Sequence, residues 1–153
     1  MRVLRSRYVI DKSSLSPGLR NESRVPLIIS EFRPRLHDYL GGIVNGLHAT
    51  PLEINGTADH VHVLARIQPV ISISEFMSKF KSISSGWARR QTRKYFKWQV
   101  RYGAFTVSES QVERVQNYIR NQEAHHSRIL FEGKFRALLK SNGIEFEEKY
   151  LWE

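Results

Sequence analysis

At 153 residues, with 41% hydrophobic and 25% charged side chains, the chain has the composition of a folded domain, which excludes a disordered tail, and it can close a core without covalent staples. It contains no cysteine, which excludes disulfides and thiolate metal sites, so any metal must rest on imidazole, carboxylate or amide oxygen. Lys and Arg number 24 against 15 Asp and Glu, a formal charge of +9 that suits a polyanionic partner, although basic proteins of other kinds share it.

The chain opens on Met1-Arg2-Val3-Leu4-Arg5, without the apolar segment of a secretory leader, and no apolar run approaches the ~18 residues of a membrane span. A cytoplasmic protein with no membrane partner is expected. Arg7-Tyr8-Val9-Ile10 offers only a short stretch for a first strand, and residues 11–26, rich in Ser, Pro, Gly and charge, read as loop. Ser30 is a candidate N-cap, Pro34 lies near a first turn, and Leu36, Leu40, Ile43, Val44 and Leu47 recur at helical spacing, so 31–48 is expected to be a helix packed on a sheet. Leu52 and Ile54 alternate in a short strand, Asn55-Gly56 supplies turn chemistry, and Val61, Val63, Ala65 and Ile67 mark one face of a strand over 60–67. Ser74 reads as the cap of a second helix with an apolar stripe of Phe76, Phe80, Ile83 and Trp87. Lys79, Lys81, Arg89, Arg90, Arg93 and Lys94 crowd the same segment and are candidate DNA contacts, although such a run can equally be a solvated face. Trp98 to Val107 is strand-like, Ser108 and Gln111 have capping-box spacing for a third helix reaching about His126, and Phe131, Phe135, Leu138 and Leu139 suggest a fourth before Asn142-Gly143.

After a first strand, the order helix, strand, strand, helix, strand is the split βαβ pattern. The expected fold is α+β: a ferredoxin-like antiparallel sheet with helices on one face, and an additional helix, carrying Tyr118, free to lie across the other. One domain over 1–153 is expected, with an atypical N-terminus at 1–24 and a C-terminal helix and tail at 127–153.

Because side chains alternate along a strand, His60, His62 and Leu64 share a face opposite Val61, Val63 and Ala65. Two imidazoles two residues apart on a rigid strand can ligate one divalent ion; the plain alternative is a pair of half-exposed strand histidines. Asp59 precedes them, and a polar helix elsewhere can complete the shell. Nitrogen and oxygen donors without sulfur suit Mg2+ or Mn2+ assisting phosphate chemistry, and Zn2+ is compatible with the same set. On the third helix Gln111, Tyr118, Gln122 and His125 fall within about 60° of one another. Tyr118 and Gln122, one turn apart, can therefore address the same metal-bound phosphate; the alternative is a surface tyrosine among hydrogen-bonding neighbours. A phenol with a pKa of about 10 needs help as a nucleophile, and a divalent ion on the scissile phosphate supplies it. A phosphotyrosine link conserves the phosphodiester energy, so rejoining needs no nucleotide, in keeping with the lack of a Gly-x-x-x-x-Gly-Lys motif. His125-His126 read either as cations suited to a helix C-terminus or as partners supporting a ligand.

Three separated segments, Asn55 to Leu64, Trp98 to Ser108 and Val115 to His126, resemble the histidine strand, aromatic-glycine strand and tyrosine helix of the single-tyrosine HUH transposases, the small single-strand transposases of minimal insertion sequences, with REP-associated tyrosine transposases as relatives. The similarity runs from about Val25 to Trp152 and includes the closing Glu148-Lys149-Tyr150-Leu151-Trp152. The resemblance implies that His60 and His62 bind a divalent metal, that Gln122 completes its shell, and that Tyr118 is the nucleophile. It further implies single-stranded DNA with subterminal hairpins as partner, a 5′-phosphotyrosine intermediate with a free 3′-OH, and a homodimer in which the tyrosine helix of one subunit can complete the histidine site of the other. Members usually open on an alternating strand followed by a basic Lys-x-Arg turn, whereas residues 1–24 read differently. If the first strand were absent, its neighbour would gain a bare edge. Three rival readings remain: a non-catalytic single-strand nucleic-acid-binding module using Trp98, Tyr102 and Phe105 to stack bases, a domesticated relative processing chromosomal repeat hairpins, and a replication-initiator or relaxase nickase.

Overall fold

The computed structural model describes residues 7–14, 27–58, 60–99 and 103–121, together with scattered positions between 133 and 145. In chain order its elements are β1 (Arg7–Ser14), α1 (Arg33–Gly46), β2 (Ala49–Gly56), β3 (His60–Ile67), α2 (Ile73–Thr92), β4 (Gly103–Val107), a short 3-10 turn (Glu109–Gln111) and α3 (Val112–Arg120). The strands form a four-stranded sheet in the order β2-β3-β1-β4, with every neighbouring pair antiparallel. Helix α1 connects β1 to β2 and α2 connects β3 to β4, each crossing over an intervening antiparallel strand, which is the split βαβ arrangement.

The N-terminus departs from expectation. β1 extends to Ser14, so Asp11, Lys12, Ser13 and Ser14 are strand and not loop. It pairs with β3 along its whole length, from Arg7 opposite Ile67 to Ser14 opposite His60, and with β4 from Tyr8 opposite Val107 to Lys12 opposite Gly103. Pairing with β3, and with β4 as far as Lys12, outweighs the weak strand preference of Asp, Lys and Ser. The first strand is thus present and central, and Val9 is buried in the core.

Several boundaries also shift for local reasons. Phe32, not Ser30, stands at the N-cap of α1, while Ser30 Oγ donates to Glu31 Oε2 at 3.2 Å; Pro34 does lie in the first turn. The cap of α2 is Ser72, not Ser74: its extended backbone lets Oγ accept from Glu75 N–H at 3.0 Å, with Glu75 three residues on. Ser74 is already inside the helix. Ser108 precedes the 3-10 turn without making the expected side-chain cap, so α3 starts at Val112. Asn55 and Gly56 belong to β2, and the turn follows at Thr57, whose N–H donates to His60 O at 2.9 Å. Gly56 is required by close approach: a Cβ there would lie 2.1 Å from His60 O and 2.8 Å from the Val61 Cα.

One face of the sheet, built on Val61, Val63, Ala65 and Ile67, packs against Leu36, Leu40, Ile43 and Val44 of α1 and Phe76, Met77, Phe80 and Ala88 of α2. Trp87 sits between Phe32 and Tyr39 in near-parallel stacks, with ring centroids 5.6 and 4.2 Å away, and ties the two helices together. Ile83, expected in the apolar stripe, is instead exposed. Trp98 is buried edge-on to Phe96 and donates to Ser84 Oγ at 2.8 Å, so its side chain serves the helix-side core; β4 is described over Gly103–Val107, and residues 100–102 lie outside the described residues. The opposite face carries a smaller cluster of Leu64, Val107, Val115, Ile119 and Leu139, so α3 does lie across it. Leu139 and its neighbours Arg136, Ala137, Lys140 and Ser141 are helical, in line with a fourth helix; Phe131, Phe135 and Leu138 lie outside the described residues. No described helix is long and apolar enough to cross a membrane.

Candidate active site

His60 and His62 lie on the α3-covered face of β3. His62 is fully buried, His60 half-buried, and their rings meet nearly perpendicular with centroids 5.2 Å apart. Both ring nitrogens of His62 and Nε2 of His60 are withdrawn from solvent. Half exposure, as in the plain alternative, holds for His60 and not for His62.

Helix α3 spans only nine residues, shorter than the ~12–15 at which an isolated helix becomes even marginally stable. Contacts with β2 hold it. Gln116 Nε2 donates to Leu52 O at 3.2 Å, and Arg120 pairs with Glu53 at 2.9 Å. Asn55, the cross-strand partner of His62, donates from Nδ2 to Ile119 O at 2.9 Å and to Arg120 O at 3.2 Å. Those carbonyls belong to the last turn of the helix, where the usual i+4 donors run out; Asn121 N–H reaches Ile119 O, and Asn55 adds a second donor there and one to Arg120 O. A single side chain thus links the residue opposite His62 to the turn that carries Tyr118.

Tyr118 packs its ring against the Leu64 cluster and holds its hydroxyl out of solvent. Burial pushes the phenol well above its ordinary pKa, because the charged phenolate loses hydration there. Val115 and Ile119 form the buried face of α3, as the helical spacing requires. Full burial of a side chain such as Ile119 contributes about 1.5–3 kcal/mol to docking the helix.

Among the described residues no group of three or more His, Cys, Asp or Glu comes together. Gln122, Asp59, His125 and His126 lie outside the described residues, as does Tyr102.

The six candidate DNA-contacting cations lie on or just beyond α2, which covers the other face of the sheet. Lys79 pairs with Glu75 at 2.8 Å. Lys81 Nζ donates to Gln99 O at 2.7 Å and Arg89 Nε to Phe96 O at 2.8 Å, so both brace the segment leading to β4. Arg90 and Lys94 are exposed, and Arg93, also exposed, closes α2 in the left-handed region with φ 53°. The structure does not gather these residues around the histidines. Of the three aromatics offered for base stacking, Trp98 is consumed in the core and Phe105 packs against the Leu64 cluster.

Sequence reasoning passed over Asn55, Glu53, Gln116 and Thr57. Asn55 carried a signal, but Asn-Gly is such a common turn pair that it pointed to the hairpin and away from the helix; the other three had none beyond polarity on a strand or helix.

The described site is thus a histidine pair, one ring buried and one half-buried, on a strand of a split βαβ sheet covered by the helix that carries Tyr118. The family model described as IS200-like transposase matches residues 19–122, and the chain belongs to that family of DNA-processing transposases. A comparison with curated proteins gives no match. Among solved structures the chain is similar to a candidate transposase from Deinococcus radiodurans R1, with 21% identity, 76% of this chain and 91% of that one covered, and a TM-score of 0.56. It is also similar to a REP-associated tyrosine transposase bound to a REP hairpin, with 14% identity, 83% of this chain and 73% of that one covered, and a TM-score of 0.58. At these identities the likeness is one of fold.

Proposed function

We propose that this IS200-like transposase cleaves and rejoins single-stranded DNA at insertion-sequence ends through a covalent link to Tyr118. The observation that carries the reading is the attachment of the Tyr118 helix, through Asn55, to the strand position opposite His62. The Tyr118 oxygen forms a bond to phosphorus as the bond to the 3′ oxygen breaks; the phenol gives up a proton and the departing 3′-OH takes one up. Attack by a 3′-OH reverses both changes and regenerates the phenol, so the cycle balances without a nucleotide cofactor. Burial raises the Tyr118 pKa further above neutrality, so the proposed attack requires the phenol to lose its proton as the bond to phosphorus forms.

The histidine pair fits a divalent cation: a buried imidazole, His62, and a half-buried one, His60, whose Nε2 is withdrawn from solvent, stand side by side on one strand, held by a sheet whose other face is close-packed. His60 and His62, with Gln122 as an oxygen donor, would hold Mg2+ or Mn2+, which supplies positive charge to the phosphate undergoing attack. Hairpin-bearing single-stranded DNA is the proposed substrate, supported by the +9 charge and by the hairpin on the structural neighbour. Lys79, Lys81, Arg89, Arg90, Arg93 and Lys94 are proposed to meet the duplex stem. Homodimerisation is part of the proposal, but the docking of α3 on its own sheet favours active sites built within each chain.

The second reading is a domesticated relative that applies the same chemistry to chromosomal repeat hairpins; it is favoured by the same structural neighbour. Incubating labelled single-stranded ends with wild type and Tyr118→Phe tests the common core. The wild type should give an adduct that survives denaturing gels, and the variant should bind the hairpin equally while giving none. An adduct formed by Tyr118→Phe means another nucleophile. Insertion-sequence ends and repeat hairpins offered side by side distinguish the two substrates.

A further inference from the structure

The turn between β2 and β3 does more than reverse the chain. Thr57 N–H donates to His60 O at 2.9 Å, and Ala58 O accepts from Ile28 N–H at 3.2 Å. Gly56, with no room for a Cβ, brings the two strands together just before it. Within this fixed turn Thr57 Oγ1 stands 2.9 Å from Nδ1 of His60. A β-branched side chain has little rotamer freedom, so the oxygen is held where it is.

That contact bears on chemistry because a neutral imidazole has one N–H and one lone pair, and only the lone pair can ligate. A hydroxyl can act either way, with opposite consequences. If Thr57 donates to Nδ1, the ring proton must sit on Nε2 and the inner nitrogen cannot ligate. If Thr57 accepts from Nδ1, Nε2 carries the lone pair. Nε2 is the nitrogen withdrawn from solvent on the face shared with His62, so only the second arrangement turns the pair into a two-nitrogen donor set.

We infer that Thr57 is a positioning residue: its side-chain oxygen accepts the Nδ1 proton of His60 and leaves Nε2 as the nitrogen offered to a divalent cation. The inference rests on the metal reading above and adds to it the group that selects the ligand tautomer. A hydrogen bond to the outer nitrogen of a ligating histidine fixes its tautomer and orientation, and losing such a partner typically weakens metal binding about 10–100-fold.

Two measurements test this without recourse to activity. The first is nitrogen-15 NMR of the histidine rings in the metal-free wild-type protein, which reads the tautomer directly and needs no substitution. His60 should carry its proton on Nδ1; a proton on Nε2 overturns the inference. The second is Mn2+ titration followed by electron paramagnetic resonance, on wild type, Thr57→Val, Thr57→Ser and His62→Ala. Thr57→Val keeps the branched shape and removes the hydroxyl, and should weaken Mn2+ by about 10–100-fold. Thr57→Ser keeps the hydroxyl and should restore affinity to near wild type. Wild-type affinity in Thr57→Val overturns the role of Thr57 while leaving the metal reading intact. Failure of the wild type to bind Mn2+ in a His62-dependent way overturns the metal reading, and this inference with it.

Discussion

On the face covered by α1 and α2, large apolar side chains meet Val61, Val63 and Ala65 and the described buried polar contacts run from Trp98 through Ser84 to the Phe80 carbonyl; on the face covered by α3, a small cluster around Leu64 shares the surface with His60, His62, Asn55 and Tyr118. The first face holds the sheet rigid by bulk. Among the described residues the second gathers fewer apolar side chains, and hydrogen bonds from β2 help to place its helix. The contrast teaches that a strand can carry buried imidazoles on one side because dense packing on the other fixes its geometry. Charge follows a third rule: the basic residues of α2 lie on the helix that covers the face opposite the histidines, Lys81 and Arg89 bonded to the segment before β4 and Lys79 and Arg90 exposed.

Substitutions on the two faces should therefore fail differently. Phe80→Ala, in the larger core, should cost about 3–5 kcal/mol of stability in chemical denaturation, with the residual folded fraction keeping its specific activity. A loss of activity without a loss of stability would break the comparison. Gly56→Ala should cost roughly 1–3 kcal/mol, because the new methyl group meets the His60 carbonyl and the β2 to β3 approach must open; Thr57 would move with it, so Mn2+ affinity should fall as well. Asn55→Ala should cost only about 1 kcal/mol. It should nevertheless accelerate amide exchange at the C-terminal turn of α3 and slow adduct formation while hairpin affinity stays constant. Exchange unchanged in α3 would deny Asn55 its part.

Tyr118 yields a pH test of its own burial. Its folded pKa is raised above the ordinary value of about 10, so the stability it confers is fully present below pH 10 and is lost as pH climbs towards the raised value. Wild type should lose stability more steeply above pH 10 than Tyr118→Phe; equal slopes would mean the phenol titrates freely. The smallest effect belongs to the charged face. Lys79→Ala removes an exposed i,i+4 pair with Glu75 and should change stability by less than about 0.5 kcal/mol.

The topology was legible because period-two alternation over His60 to Ile67 and helical spacing in α1 and α2 are direct imprints of burial. The histidine pair was legible on the same ground. β1 was not, since Asp11 to Ser14 are strand by virtue of pairing with β3, joined by β4 at Asp11 and Lys12, which no local pattern records. Caps slipped by a residue or two where serines cluster: Ser72 and Ser74 are chemically equal, and only backbone direction selects Ser72. The tether between Asn55 and α3 joins residues 64 and 65 apart in the chain, and the Thr57 contact depends on side-chain orientation within a turn. Neither has a periodic signature.

Mass-spectrometric mapping of the protein–DNA adduct tests the central claim most directly. After incubation with a single-stranded insertion-sequence end and Mg2+, nuclease trimming and proteolysis should yield one modified peptide, with a nucleotide joined through its 5′ phosphate to Tyr118. His62→Ala, folded but lacking one imidazole of the pair, should yield the same peptide at about a thousandth of the amount or less. A nucleotide on any other residue, or undiminished modification in His62→Ala, would contradict the account.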